Sequence, residues 1–279
     1  MGLIRFGTGG VPHSAAKRTT EAGLERLKEL GLDHLEVEFV RGVKMKIDKA
    51  REIGKLAKEL GITLTAHGPY YINLNSPDED KRKASVLRIL DTARAGYAMG
   101  ARSITFHAAY YGDDDPEDVY VRVRDHLHEV LKVMKEEGIK IDIRPETTGK
   151  PNQFGTLDEI IKLSSELPGI LPCVDFAHIH ARFGGRFNSY DEFTAILKKV
   201  ERALGRGALE SLHMHMSGIE YGDRGEINHL NLEESDFRYR ELLKALRDMD
   251  VSGYAVCESP DLEEDALLLK KTYGKLTSH

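Results

Sequence analysis

Short apolar runs alternate along the whole chain with longer segments whose apolar residues recur three and four positions apart. The first pattern suits buried strands, the second the core-facing stripe of a helix. Strands are predicted at 3–7, 34–39, 62–66, 103–107, 139–146, 170–175, 209–216 and 253–258. Helices are predicted at 19–30, 48–60, 79–99, 116–137, 156–167, 189–204, 237–249 and 261–273. Several of these end in glycine, at Gly31, Gly61, Gly100 and Gly138, as a left-handed cap requires. Eight strand–helix units with no linker or low-complexity break predict an α/β fold, a (β/α)8 TIM barrel, as one domain over residues 1–279. An open doubly wound sheet is the alternative, but the GTGG at 7–10 lacks the spacing of a dinucleotide-binding fingerprint.

Composition changes this picture little. No apolar run approaches the ~20 residues of a membrane span, and the N-terminus MGLIRFGTGG has no basic region followed by a long apolar core. Cys173 and Cys257 are isolated, which argues against a disulfide framework or a zinc ribbon and for small buried side chains. A cytoplasmic monomer with no membrane partner is expected. The formal charge of −6 does not by itself suggest a nucleic-acid binder, although it counts acids that are candidate metal ligands. Gln153 is the only glutamine amid abundant Lys, Arg and Glu, a weak thermophilic signature. Met99, Met134 and Met249 sit at helical spacing and read as core.

The chemistry collects at strand ends. His67, His107, Glu146 and Asp175 close the third to sixth predicted strands, and His178 follows Asp175 by three. His213 and His215 close the seventh and Glu258 the eighth. Pro145 removes a ladder donor and is expected to stop pairing, leaving Glu146 at the tip. In a barrel these tips ring one mouth. Imidazoles with carboxylates and no cysteine suit Zn²⁺ or Mn²⁺. A lone histidine at a strand end is more often structural, and His34, His126, His128, His180 and His279 are assigned to that class or to solvent. Applied at six tips together, that explanation leaves many polar groups crowded without partners. Strand alternation turns His213 and His215 to the same face, and His215 lies nearer the tip. The long 217–236 loop carries Glu226 and His229, and long ordered loops tend to be functional.

From FGTGG to AVCES the chain resembles the endonuclease IV family of apurinic/apyrimidinic endonucleases, within the xylose-isomerase-like barrels. His67-Gly-Pro-Tyr70-Tyr71-Ile-Asn-Leu is similar to that family's H-x-P-Y-L-I-N-L, Phe106-His107 to its F-H, Glu146-Thr147-Thr148-Gly149 to its E-N/T-x-G, and Asp175-Phe-Ala-His178 to its D-T-x-H. The resemblance implies three metal ions, usually zinc, with manganese an option at one site. Glu146 would bridge two of them. His67 and His107 would complete the first, Asp175, His215 and Glu258 the second, and His178 and His229 would hold the third. Glu146 and Glu258 are the expected catalytic carboxylates. Two segments depart from the pattern. H-L-N-D-S is here His215-Met-Ser-Gly, and the D-x-H of the third site is Glu226-Ile-Asn-His229, its acid shifted by one.

The activity so implied is DNA repair. The phosphodiester 5′ to an abasic site in double-stranded DNA would be hydrolysed, and 3′-blocking groups removed, by metal-activated hydroxide. Arg41, beside Lys44 and Lys46, would grip phosphates. Tyr70 and Tyr71 would wedge beside an extruded abasic nucleotide. Two other readings stay open. One is a single-metal sugar isomerase or epimerase, for which the chain has an excess of imidazoles. The other is an abasic-DNA-binding protein that has lost catalysis.

Overall fold

All eight predicted strands and all eight helices form in the computed structural model, which describes residues 2–277 and so leaves His279 outside. The barrel strands are β1 (Ile4–Gly9), β2 (His34–Glu38), β3 (Thr63–His67), β4 (Ser103–Phe106), β5 (Asp142–Pro145), β6 (Cys173–Asp175), β7 (Leu212–Met216) and β8 (Gly253–Cys257). They pair in parallel in the order β5-β4-β3-β2-β1-β8-β7-β6, with a helix after each. The four glycines beyond helix ends all take left-handed φ, from 70° to 74°.

The ring closes between β5 and β6 through two isolated bridges, Ile143 to Ile170 and Glu146 to Cys173. Across this seam Ile143 N–H bonds Gly169 O, Leu171 N–H bonds Ile143 O, and Thr147 N–H bonds Cys173 O. Pro145 occupies the position whose N–H belongs between them, so a continuous ladder does not form. On the other side pairing continues past the proline, because Glu146 N–H donates to Phe106 O at 3.1 Å. Pro145 therefore interrupts one edge of the strand only.

The outer faces of the strands pack on helices in an apolar shell that includes Phe6, Leu35, Ile104, Ile143 and Met214. Met99, Met134 and Met249 lie in or against it, and both cysteines are buried. The inner faces differ from the branched aliphatic filling usual in such barrels. Every second residue is polar on most strands: His34, Glu36 and Glu38 on β2, Thr63, Thr65 and His67 on β3, His213 and His215 on β7. Buried polar groups must find partners, and here they find one another in stacked layers.

Further elements lie outside the predicted set: helices Phe176–Arg182 and Gly207–Glu210, a hairpin of Gly218–Gly222 with Gly225–Leu230, a 3-10 turn at Leu232–Glu234, and the short pair Ala109–Tyr110 with Gln153–Phe154. The strands predicted at 139–146, 170–175 and 209–216 each begin three residues later, at Asp142, Cys173 and Leu212. Their first residues enter from a helix cap, from Pro172 and from the Gly207–Glu210 helix respectively.

Candidate metal centre

Glu146 is the hub of the mouth. It is 1% exposed, and four imidazoles contact its carboxylate. His67 Nε2 lies 3.2 Å from Oε2, while His107 Nε2, His178 Nδ1 and His215 Nδ1 lie 3.3, 3.0 and 3.4 Å from Oε1. His215 Nδ1 is also 3.2 Å from Glu258 Oε2. Asp175 divides its oxygens: Oδ1 accepts from His178 N–H at 2.6 Å and caps the helix Phe176–Arg182, leaving Oδ2 3.4 Å from His178 Nδ1. Among the described residues five donor groups form, and three of them share the mouth: His67, His107 and Glu146; Glu146, Asp175, His215 and Glu258; Asp175, His178 and His229. The other two, Cys173 with His213 and His215 and Glu36 with Glu38 and Glu258, adjoin them.

The imidazoles are oriented from behind. His67 Nδ1 meets Gly68 O at 2.7 Å, His178 Nδ1 meets Thr147 O at 3.0 Å, and His229 Nδ1 meets Glu258 O at 3.1 Å. A carbonyl accepts only, so these contacts place the proton on Nδ1 and aim the Nε2 lone pair into the cluster. His215 is turned the other way, with Nε2 2.8 Å from Glu36 Oε1 and Nδ1 inward. One nitrogen tied to an acceptor and the other directed at carboxylates is the arrangement of metal-ligating histidines. The Nε2 atoms of His178 and His229 face each other at 3.3 Å, a repulsion between lone pairs that a cation relieves. Glu146 Oε1, Asp175 Oδ2 and both nitrogens of His215 are buried without a hydrogen-bond partner, as are Glu36 Oε1 and His213 Nε2, whose approaches to the imidazoles are ion-pair distances. The donor set therefore fits divalent cations.

Charge tells the same story. Burial pushes Glu146 toward the neutral form, yet His107 and His215 hold it well below the carboxylate range. Burial also raises Glu258, and His215 brings it down to about 2. Burial depresses His67, but Glu38 and Glu146 lift it to about 10. Burial raises Glu38 to about 8. In the protein alone, protons shared with imidazoles balance crowded carboxylates, which is the positive charge that divalent cations would replace.

The shifted acid after β7 has a structural explanation. On an unbroken strand, residues three apart face opposite sides. In the hairpin, Glu226 pairs with Tyr221 and Asn228 with Glu220, so Ile227 is an extra, bulged residue. The bulge restores the parity of Glu226 and His229, and both reach His178, with Glu226 Oε2 3.6 Å from its Nε2. Gly149 makes room, since a Cβ there would lie 2.7 Å from Glu226 Oε2.

With this geometry in place, similarity to other proteins becomes informative. Residues 24–273 match the family described as xylose isomerase-like TIM barrel. The chain belongs to that family. An uncharacterised protein of Methanocaldococcus jannaschii is 45% identical over 98% of both chains. The apurinic-apyrimidinic endonuclease 1 of Plasmodium falciparum is 26% identical over 73% of this chain and 34% of its own length. Among solved structures, endonuclease IV from Thermus thermophilus superposes with TM-score 0.73 at 18% identity over 98% of this chain and 100% of its own. A D-tagatose 3-epimerase-like protein gives the same score and identity over 98% of both. At such identities these two structures share the fold alone.

Around this family's mouth, the remaining predicted residues are dispersed. Tyr70 and Tyr71 are 63% and 62% exposed on the β3 loop, and Arg41 is exposed on the β2 loop. His213 lies one layer below the tips, with Nε2 2.9 Å from Glu36 Oε2 and Nδ1 3.1 Å from Ser103 Oγ. An open groove of about 720 Å³ runs beside Glu226, between the Lys150–Asn152 segment and the hairpin tip at Arg224. His34 and His180 are buried on Thr63, Thr65 and Asp236, and His126 lies 3.7 Å from Glu129. Glu36 lies mid-strand and Glu38 closes β2, and neither alone stands out from the strand's own sequence as a ligand. The signal was present in the H-x-E-x-E of residues 34–38, whose inward face is wholly polar.

Proposed function

We propose that the protein is a zinc-dependent endonuclease that hydrolyses the phosphodiester 5′ to abasic sites in duplex DNA and removes 3′-blocking groups. The observation that carries this reading is the number of imidazoles gathered at the mouth. His67, His107, His178, His215 and His229 lie in three adjoining donor sets around one carboxylate, more than a single-ion site uses. Zinc held there supplies a Lewis acid for phosphate oxygens and a water acidic enough to attack near neutral pH.

The chain's own residues have distinct parts in this reading. Glu146 is shared between the first two sets, His67 and His107 complete the first, and Asp175, His215 and Glu258 complete the second. His178 and His229 hold the third beside Asp175, with Glu226 3.6 Å from His178. Glu146 and Glu258, as catalytic carboxylates, frame the place where the phosphate sits. Arg41 grips the backbone, and Tyr70 with Tyr71 fills the gap left by an extruded abasic nucleotide, which has no base to unstack.

One observation favours a second reading. Glu146, Asp175, His215 and Glu258 alone form a four-ligand site for one ion, which is enough for a sugar epimerase or isomerase. The deciding experiment incubates zinc-replete protein with a labelled duplex bearing a single abasic analogue, with and without chelator, and identifies the ends. Chelator-sensitive cleavage to a 3′-OH and a 5′-deoxyribose phosphate is expected. An intact duplex, with one ion per chain and turnover of a free ketose, would decide for the sugar reading. Tight abasic binding without cleavage would make the protein a lesion binder.

A further inference from the structure

Behind the metal centre, His215 is anchored differently from its neighbours. His67, His178 and His229 each rest their outer nitrogen on a backbone carbonyl, which no side-chain substitution removes. His215 rests on a side chain, Glu36, which is fully buried on β2 three strands away around the ring. Glu36 is itself fixed on several sides. Its Oε2 accepts from the Thr65 hydroxyl at 2.7 Å and lies 2.9 Å from His213 Nε2. Thr65 Oγ1 is in turn 2.9 Å from His34 Nε2, and His34 Nδ1 is 2.9 Å from Thr63 Oγ1. A continuous stack thus runs up the barrel axis from Thr63 to His215, and Glu146 and Glu258 meet its upper end.

We infer that Glu36 is a positioning residue for the metal centre, setting the ring of His215 so that Nδ1 faces Glu146 and Glu258 while holding His213 one layer below. The inference rests on the metal reading of the mouth, not on which substrate is cleaved there. Two adjacent inward histidines on β7 compete for one place at the tip. A carboxylate presenting one oxygen to each resolves the competition electrostatically: Oε1 lies 2.8 Å from the outer nitrogen of His215, and Oε2 lies 2.9 Å from His213 Nε2 one layer below. Without the acceptor, the imidazole of His215 is free to rotate its Nδ1 away from the cluster. Outer partners of this kind typically contribute tenfold to a hundredfold to metal affinity.

The test is a zinc titration of the full-length protein against a chromophoric chelator, with Co²⁺ spectra of the same samples. Wild type is compared with Glu36→Leu, which fills the space without an acceptor, and with Glu36→Gln, which keeps an acceptor oxygen. One ion is expected to bind about a hundredfold more weakly in Glu36→Leu and about tenfold more weakly in Glu36→Gln, with the other ions unchanged. The Co²⁺ bands of that one site should shift. A merely space-filling role predicts that both variants retain the wild-type affinity and spectrum, and that result overturns the inference. If Glu36→Leu does not fold, Glu36→Gln with unaltered affinity overturns it alone. A wild-type protein that binds no ion overturns this inference and the metal reading together.

Discussion

Glu146 takes contacts from four imidazoles on two oxygens, so its removal acts on more than one donor set. Glu146→Gln keeps the volume and loses the shared negative charge. We expect it to abolish cleavage and to weaken two ions by more than the ~100-fold that outer partners reach, with far-UV circular dichroism unchanged. Full activity in metal-replete buffer would sink the bridging role. His34 makes a different prediction, about acid stability. Burial, reinforced by the charge of His213, lowers it from 6.5 to about 3. Between those values the unfolded chain binds a proton that the folded chain excludes. The contribution of His34 is therefore complete above about pH 6.5 and is lost as pH falls toward 3, by at most about 1.4 kcal/mol per pH unit. Urea midpoints of zinc-free protein at pH 7, 5 and 4 should fall, and less steeply in His34→Gln. Equal slopes would remove His34 from the account.

The third donor set depends on one element, the hairpin, and on what clamps it to the barrel. Tyr221 Oη donates to Asp236 Oδ2 at 2.7 Å, and Asp236 Oδ1 lies 3.0 Å from His180 Nε2. The Tyr221 ring also lies edge-on to the imidazole of His180, with centroids 5.0 Å apart. Tyr221→Phe removes the hydroxyl alone. We expect a loss of about 1 kcal/mol in stability, faster amide exchange in Gly225–Leu230, and weaker binding of the ion near His178 and His229, with the other ions unaffected. Unchanged exchange would mean that packing, not this bond, holds the hairpin. The barrel elements were legible in the sequence because the apolar period changes cleanly between strand and helix. The hairpin was not. Its strands, Gly-Ile-Glu-Tyr-Gly and Gly-Glu-Ile-Asn-His-Leu, bury few apolar residues, and the bulge at Ile227 breaks their alternation. The same bulge gives Glu226 and His229, whose spacing departs from the pattern, a common side from which both reach His178.

At the scale of the molecule, the mouth residues were legible because single residue types end successive strands. The layer beneath was not, since Glu36, Thr65 and His34 gain meaning only when the strands close into a ring. Closure is also where the fold is least continuous. The β5–β6 seam has two isolated bridges in place of a ladder, and the donor set Glu146, Asp175, His215 and Glu258 comes from the ends of β5, β6, β7 and β8. An ion held by those four groups spans the seam and ties its two edges, so metal should stabilise this part of the barrel most. With zinc a hundredfold above its dissociation constant the native state gains about 2.7 kcal/mol, and the thermal midpoint should fall on chelation. The position of the effect is the sharper test. Hydrogen exchange in zinc-free protein should accelerate most at Ile143, Thr147 and Leu171, whose N–H groups cross the seam, and least at the β1–β2 ladder on the far side. Uniform acceleration around the ring would show that the ions stabilise the fold as a whole, and that the seam is held without them by its backbone hydrogen bonds and by those of the Thr147 and Arg144 side chains.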